Sequence, residues 1–357
     1  MSANLVLPTP EDAARRLPST RFRGSKRRFA APIAQHLIDL EPKVVRDPFG
    51  GSASVSCTAD ALGIKSHYND LYDWTVTCAR TLLVHRYTQG DLDRVQAKVT
   101  ECMSEATPGF ISREFKNCYF TKAENLELDG LMECLTTTKS TRLHDLVFYG
   151  VAQAALAKMP MSMFHRASLK QRTSHVDRKS GNSKIWNTPF HTLVPRYIDE
   201  AVVYTWRRRT THMVTQGDAV TQCRKVGSDT ALFLDPPYIN PGGGVPEYSE
   251  AYHFLEGLAQ GEKAWAAGLR RGGRHPIYEA RATTFEHAKG WTTGVNQILG
   301  KVDGGSVVAT ARQRDSPGAR KLRELLREKF RFVSSKRLQA TTIFTGTPNA
   351  EYLFLAT

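Results

Sequence analysis

The residues with the most specific chemistry are Asp235, Pro236, Pro237 and Tyr238. A carboxylate accepts hydrogen bonds and donates none, so Asp235 can take one N–H of an exocyclic amino group. The carbonyl of Pro236, a residue without an N–H of its own, can take the other. Tyr238 offers a flat π face on which a purine ring can stack. An amino group held between two acceptors has its nitrogen lone pair turned out of the ring plane and ready to attack. An ordinary strand followed by a Pro-Pro turn would need neither the acid nor the tyrosine.

Such residues need a strand to present them. Leu232, Phe233 and Leu234 run straight into Asp235, which reads as a buried strand ending at a rigid turn. In open α/β sheets, ligands bind beyond the carboxyl ends of strands. A second positioning unit lies earlier. Lys43 to Ser56 reads as a strand closing on Asp47, a Gly50-Gly51 turn and a helix, and the next strand ends in Asn69 and Asp70. Strand, glycine turn, helix and acidic strand end within about thirty residues form the nucleotide-binding half of a doubly wound sheet. Asp70 is placed to accept both hydroxyls of a ribose. A dinucleotide site is the competing reading, but the G-x-G-x-x-G spacing is absent and Pro48-Phe49 precede the glycines. Ahead of this unit, Arg21–Phe29 carries a Gly24 turn and Lys26 and opens a helical pattern through Phe29, Ile33 and Leu37. Free backbone N–H groups and the Lys26 charge suit a carboxylate there; a basic solvated loop is the plainer alternative.

The chain has 357 residues, enough for one large α/β domain with an insertion or for two domains. With 49 Lys and Arg against 35 Asp and Glu, the formal charge is +14, and a pI of about 9.6 falls in the range of nucleic-acid binders. The six cysteines include no Cys-x-x-Cys pair, so neither a zinc knuckle nor a disulfide framework is expected, and no metal ligands are assigned. A reduced, cytoplasmic setting fits. No run has signal-peptide character or the length to cross a bilayer.

Three motifs in order identify a resemblance. The chain resembles the Dam-like adenine-specific DNA methyltransferases, in which a cofactor-binding half comes first, a recognition insertion follows, and an Asp-Pro-Pro-Tyr half comes last. Phe22, Gly24 and Lys26 match the family's opening motif, which implies contacts to the methionine part of S-adenosylmethionine. Phe49, Gly50, Gly51, Ser52 and Ala53 match its Phe-x-Gly-x-Gly motif, with Ala53 in place of the last glycine. Asp70 matches the ribose-binding acid, Asp47 falls in the same cofactor-binding unit, and Asp218 could match the acid that meets the cofactor's adenine, although a Gly-Asp turn is also a common loop. Asp235 is implied in both catalysis and cofactor binding. Cytosine-N4 enzymes mostly carry Ser in place of the acid, so Asp235 favours adenine.

The resemblance implies a doubly wound Rossmann-like sheet formed by residues 20–88 and 212–357. A mainly helical recognition insertion spans 89–211. Independently of the resemblance, Pro8, Pro10 and Pro18 punctuate residues 1–19, which read as a loosely ordered lead-in. Phe164 to Phe190 is polar and basic: Arg166, Lys170, Arg172, Arg178, Lys179 and Lys184 stand against the single acid Asp177. Such a segment can neutralise phosphates and send side chains into a groove, or be a solvated loop. Its end, through Lys184 and Asn187, loosely resembles the family's DNA-contacting loop. Arg312 and Arg314, beyond a strand at Ser306–Thr310, are further candidates for DNA contact. Gly242, Gly243 and Gly244 suit a mobile flap or a disordered loop.

The expectation is transfer of a methyl group from S-adenosylmethionine to the N6 of an adenine flipped out of double-stranded DNA, without a metal and without a membrane. A cytosine-N4 or RNA amino-methyltransferase, or an inactive DNA-binding relative, are the alternatives. The resemblance leaves room for a cognate restriction endonuclease as partner, and a monomer or weak dimer is expected.

Overall fold

The computed structural model describes residues 8–173, 182–238, 248–271, 275–278, 283–285, 287–312, 316–341 and 348–357. Nine strands occur among them. In chain order they are β1 (Val44–Asp47), β2 (Lys65–Asp70), β3 (Met213–Gln216), β4 (Thr230–Leu234), β5 (Leu269–Arg270), β6 (Ile277–Tyr278), β7 (Ser306–Arg312), β8 (Val333–Thr341) and β9 (Pro348–Ala356). Seven form one sheet in the order β3-β2-β1-β4-β7-β9-β8, while β5 and β6 make a separate antiparallel pair.

The first five strands of the large sheet run parallel, and β9 enters antiparallel between β7 and β8. Strand order reverses between β1 and β4, the place where an open α/β sheet forms a ligand crevice. Every residue of β4, Thr230 to Leu234, is buried, as expected of a parallel strand covered on both faces. The result is a mixed α/β architecture, a mostly parallel seven-stranded sheet flanked by helices, consistent with a Rossmann-like methyltransferase fold.

Between β2 and β3 the chain is mainly helical, with long helices at Gln89–Ser104, Lys122–Thr137, Thr141–Lys158 and Phe190–Arg207. Thr88 with Asp91, and Thr121 with Glu124, close capping boxes at two of them. The hydrophobic cluster of these helices is continuous with the sheet side. Phe148, Tyr149 and Val202 belong to the same cluster as Tyr68 of β2, Trp74 and Tyr252.

The expected loose lead-in is instead folded from Thr9 onward. Thr9 caps the helix Pro10–Arg15 by accepting the Asp12 N–H at 3.2 Å, and Pro10 sits at the first helical position, where its missing N–H costs nothing. Ala13 and Leu17 are buried, and Ser19 donates twice to Glu200. No helix among the described residues is long and apolar enough to cross a membrane.

Candidate active site

A cavity of about 650 Å³ opens where strand order reverses. Its walls include Asp235 to Tyr238, Phe22, Gly24, Lys26, Phe49, Gly51, Asp70 and Asp218. These residues come from the ends of β1, β2, β3 and β4 and from the turn before the helix Ala30–Leu40.

The floor is shaped by the turn after β1. Gly50 lies so close to Tyr68 that a Cβ there would stand 2.0 Å from the ring, so only glycine fits. Gly51 has φ +49°, its N–H donates to Asp70 at 2.8 Å, and its carbonyl accepts from the Tyr68 hydroxyl at 2.9 Å. Ala53 takes the left-handed conformation, φ 59°, ahead of the helix Ser54–Ala61. Asn69 ties the turns after β1 and β3 together by donating to the carbonyls of Pro48 and Gly217.

Four acids stand at or just beyond the ends of β1 to β4, in different states. Burial raises the Asp70 pKa, while N–H donors from Gly51 and Tyr72 offset part of the rise. Asp218 is pulled the other way. Burial would raise it, but bonds from Val220, Thr283 and Thr284 outweigh that and keep it ionised. Asp47 is 1% exposed and is not among the cavity's lining residues. Burial, then Asp235 and Asp70, push its pKa up to about 8.

The fourth acid, Asp235, is held by two side chains. Its Oδ2 accepts from the Lys26 ammonium at 2.7 Å and its Oδ1 from the Thr310 hydroxyl at 2.5 Å. Lys26 is buried, and its Nζ also lies 2.8 Å from the Tyr238 hydroxyl, 3.0 Å from the Gly24 carbonyl and 3.5 Å from Glu351. Burial alone would lower the Lys26 pKa; the Asp235 and Glu351 carboxylates, with the Tyr238 oxygen, overcome that and raise it well above its ordinary value. The Trp291 indole donates to the Pro237 carbonyl at 2.8 Å and fixes the Pro-Pro turn.

Tyr238 is 6% exposed, and its hydroxyl donates to Glu351 at 3.1 Å. The Arg312 guanidinium lies over its ring, 4.8 Å from the centroid. Arg312 thus ends β7 against the tyrosine rather than following the strand as a free basic residue. Phe22 stacks with Tyr252 and Tyr248 at 5.1 and 6.1 Å, and Phe49 meets Phe285 edge-on at 4.9 Å.

The basic segment separates by burial. Arg166, Lys170, Lys184 and Asn187 are exposed. Arg172 is not a free cation: its side chain is 4% exposed, it pairs with Glu124 at 2.5 Å, and it donates to the carbonyls of Tyr119 and Trp186. A guanidinium can satisfy several acceptors at once, so here it ties the segment down. Arg178, Lys179, Arg314 and the three glycines Gly242 to Gly244 lie outside the described residues.

Sequence reasoning missed Thr310, Trp291, Tyr248 and Glu351. Only Glu351 carried a usable signal, an acid at the head of an apolar strand, which implies a buried partner.

No family model matches the chain. It is 22% identical over 253 residues to the type II methyltransferase M2.HphI of Haemophilus parahaemolyticus, a span covering 69% of this chain and 72% of that protein. This distant likeness supports kinship with the DNA methyltransferases.

Proposed function

We propose that this protein is a site-specific DNA adenine-N6 methyltransferase using S-adenosylmethionine. The observation that carries the reading is the convergence of Asp235, Asp70, Asp218 and Phe22 on one cavity at the strand-order reversal. Likeness to a type II methyltransferase supports the same reaction class.

The residues present fit that cofactor. A volume of about 650 Å³ lies within the roughly 300–1,000 Å³ of small-molecule sites. Gly50 and Gly51 bring the backbone close, Asp70 would accept from ribose hydroxyls, and Asp218 would meet the adenine. Phe22 and Gly24 would border the methionine part. When bound, S-adenosylmethionine supplies an electrophilic methyl group.

The chain's own residues do the rest. Asp235, oriented by Lys26 and Thr310, keeps lone pairs free to accept an amino N–H. The neighbouring Pro236 carbonyl accepts the second, and Trp291 holds the turn that presents both. Positioning of this kind supplies most of the acceleration. The duplex must release its base into the cavity, at a cost of a few kcal/mol. The exposed Arg166, Lys170 and Lys184 offer phosphate contacts that help offset that cost.

The test is single-molecule sequencing of DNA from cells expressing the wild type or Asp235→Ala, calling methylated bases by sequence context. N6-methyladenine in one short motif, present only with the wild type, is expected. N4-methylcytosine instead, or no new mark, would overturn the assignment.

A further inference from the structure

We propose that Glu351, which is not among the residues lining the cavity, is a positioning residue that keeps Asp235 an effective acceptor by sharing the charge of Lys26. This rests on the methyltransferase reading of the Asp235 site.

An ammonium has three N–H donors, and Lys26 has four oxygens around it. The three shortest approaches, Asp235 at 2.7 Å, Tyr238 at 2.8 Å and Gly24 at 3.0 Å, take the three hydrogens. Glu351, at 3.5 Å, acts on the ammonium through charge. Its own hydrogen bond comes from Tyr238, whose hydroxyl oxygen accepts from Lys26 while its hydrogen goes to Glu351 at 3.1 Å. Lys26, Tyr238 and Glu351 therefore form a directed chain: the Glu351 carboxylate fixes which way the Tyr238 hydroxyl points, and so which lone pair meets Lys26.

The same geometry sets a charge balance. Lys26 and Glu351 side chains are each 4% exposed and Asp235 is 19% exposed, so water screens the three poorly. With Glu351 ionised, one cation faces two carboxylates and neither is fully neutralised. Without that charge, Lys26 would pair with Asp235 alone and drain its capacity to accept an amino N–H. A purely structural acid at this position would predict lost stability and nothing specific to the chemical step.

The test uses the full chain carrying Glu351→Gln, which preserves shape and an acceptor oxygen but not charge, with Tyr238→Phe as the second variant. Thermal unfolding, calorimetric affinity for S-adenosylmethionine, affinity for target duplex and single-turnover methyl transfer are measured on each. A transfer rate reduced roughly ten-fold or more, with both affinities within about three-fold of the parent, is expected for Glu351→Gln. The double variant should be no slower than the slower single one, because both changes break one chain. NMR of the Lys26 ammonium reads the bracket without any reaction: its signal should shift in Glu351→Gln and in Tyr238→Phe. An active parent whose rate is unchanged by Glu351→Gln, or whose affinities fall in proportion to the rate, overturns the role of Glu351 alone. A parent that transfers no methyl group to any nucleic acid fails the underlying reading, and the inference with it.

Discussion

The Lys26 ammonium stands 2.7 Å from the Asp235 carboxylate, with the lysine side chain 4% exposed. A cation this deep is tolerable only while its partners remain. Lys26→Met should leave Asp235 and Glu351 facing each other without a counter-charge. A loss of about 3–5 kcal/mol in denaturant unfolding is expected, together with loss of methyl transfer. Unchanged stability would show that the pair contributes nothing to the fold.

Asp47 should make the protein less stable as pH rises through neutrality. Its folded pKa of about 8 lies above the ordinary 3.8, so the folded state holds a proton that the unfolded chain has released. Its contribution is fully present below about pH 4 and is lost as pH climbs toward 8, by up to about 1.4 kcal/mol per pH unit. Asp47→Asn should remove that slope. Melting temperatures of the two proteins should therefore diverge between pH 5 and pH 8 in favour of the variant, and parallel curves would contradict the burial of Asp47 as a neutral acid.

Gly50→Ala should damage the cofactor side specifically. The added methyl would need to enter the Tyr68 ring, and Tyr68 holds the Gly51 carbonyl. Overpacking of this kind costs about 1–3 kcal/mol. Calorimetry should show S-adenosylmethionine affinity falling further than thermal stability alone accounts for, because the turn itself is displaced.

Lys170 and Arg172, two residues apart, should give opposite phenotypes. Lys170 is exposed, so Lys170→Ala should leave melting unchanged, weaken duplex binding and reduce the salt slope of log K by about one. Arg172→Ala removes a buried donor from Glu124 and from two carbonyls, so a stability loss of about 1–3 kcal/mol is expected. Fluorescence anisotropy across a salt series and thermal melts on both variants separate the two roles.

Much of the sheet was legible because its signals are local. Leu232 to Leu234 running into Asp235 mark a buried strand that presents an acid at its tip, and Gly50-Gly51 between two strands marks a close approach. Residues brought in from far along the chain were not legible. Thr310 and Glu351 reach the Asp235 turn because the sheet places β7 beside β4 and β9 next to β7, and Trp291 comes from the helix Ala288–Leu299. Composition also misled where burial decides the outcome. Arg172 looks like its exposed neighbours until Glu124 and the Trp186 carbonyl are seen to claim it. The helix at Pro10–Arg15 did have a local signal, Thr9 followed by Pro10, Glu11 and Asp12, set among the prolines Pro8, Pro10 and Pro18 that point to a broken segment.

The place of β9 sets an order on assembly during synthesis. It is made after every other described strand, yet it must slide between β7 and β8, which reach the ribosome exit before it. Until it does, β7 and β8 have no shared partner and Lys26 waits beside Asp235 without Glu351. A nascent chain therefore has Lys26 and Tyr238 without their Glu351 partner for as long as translation takes to reach that strand.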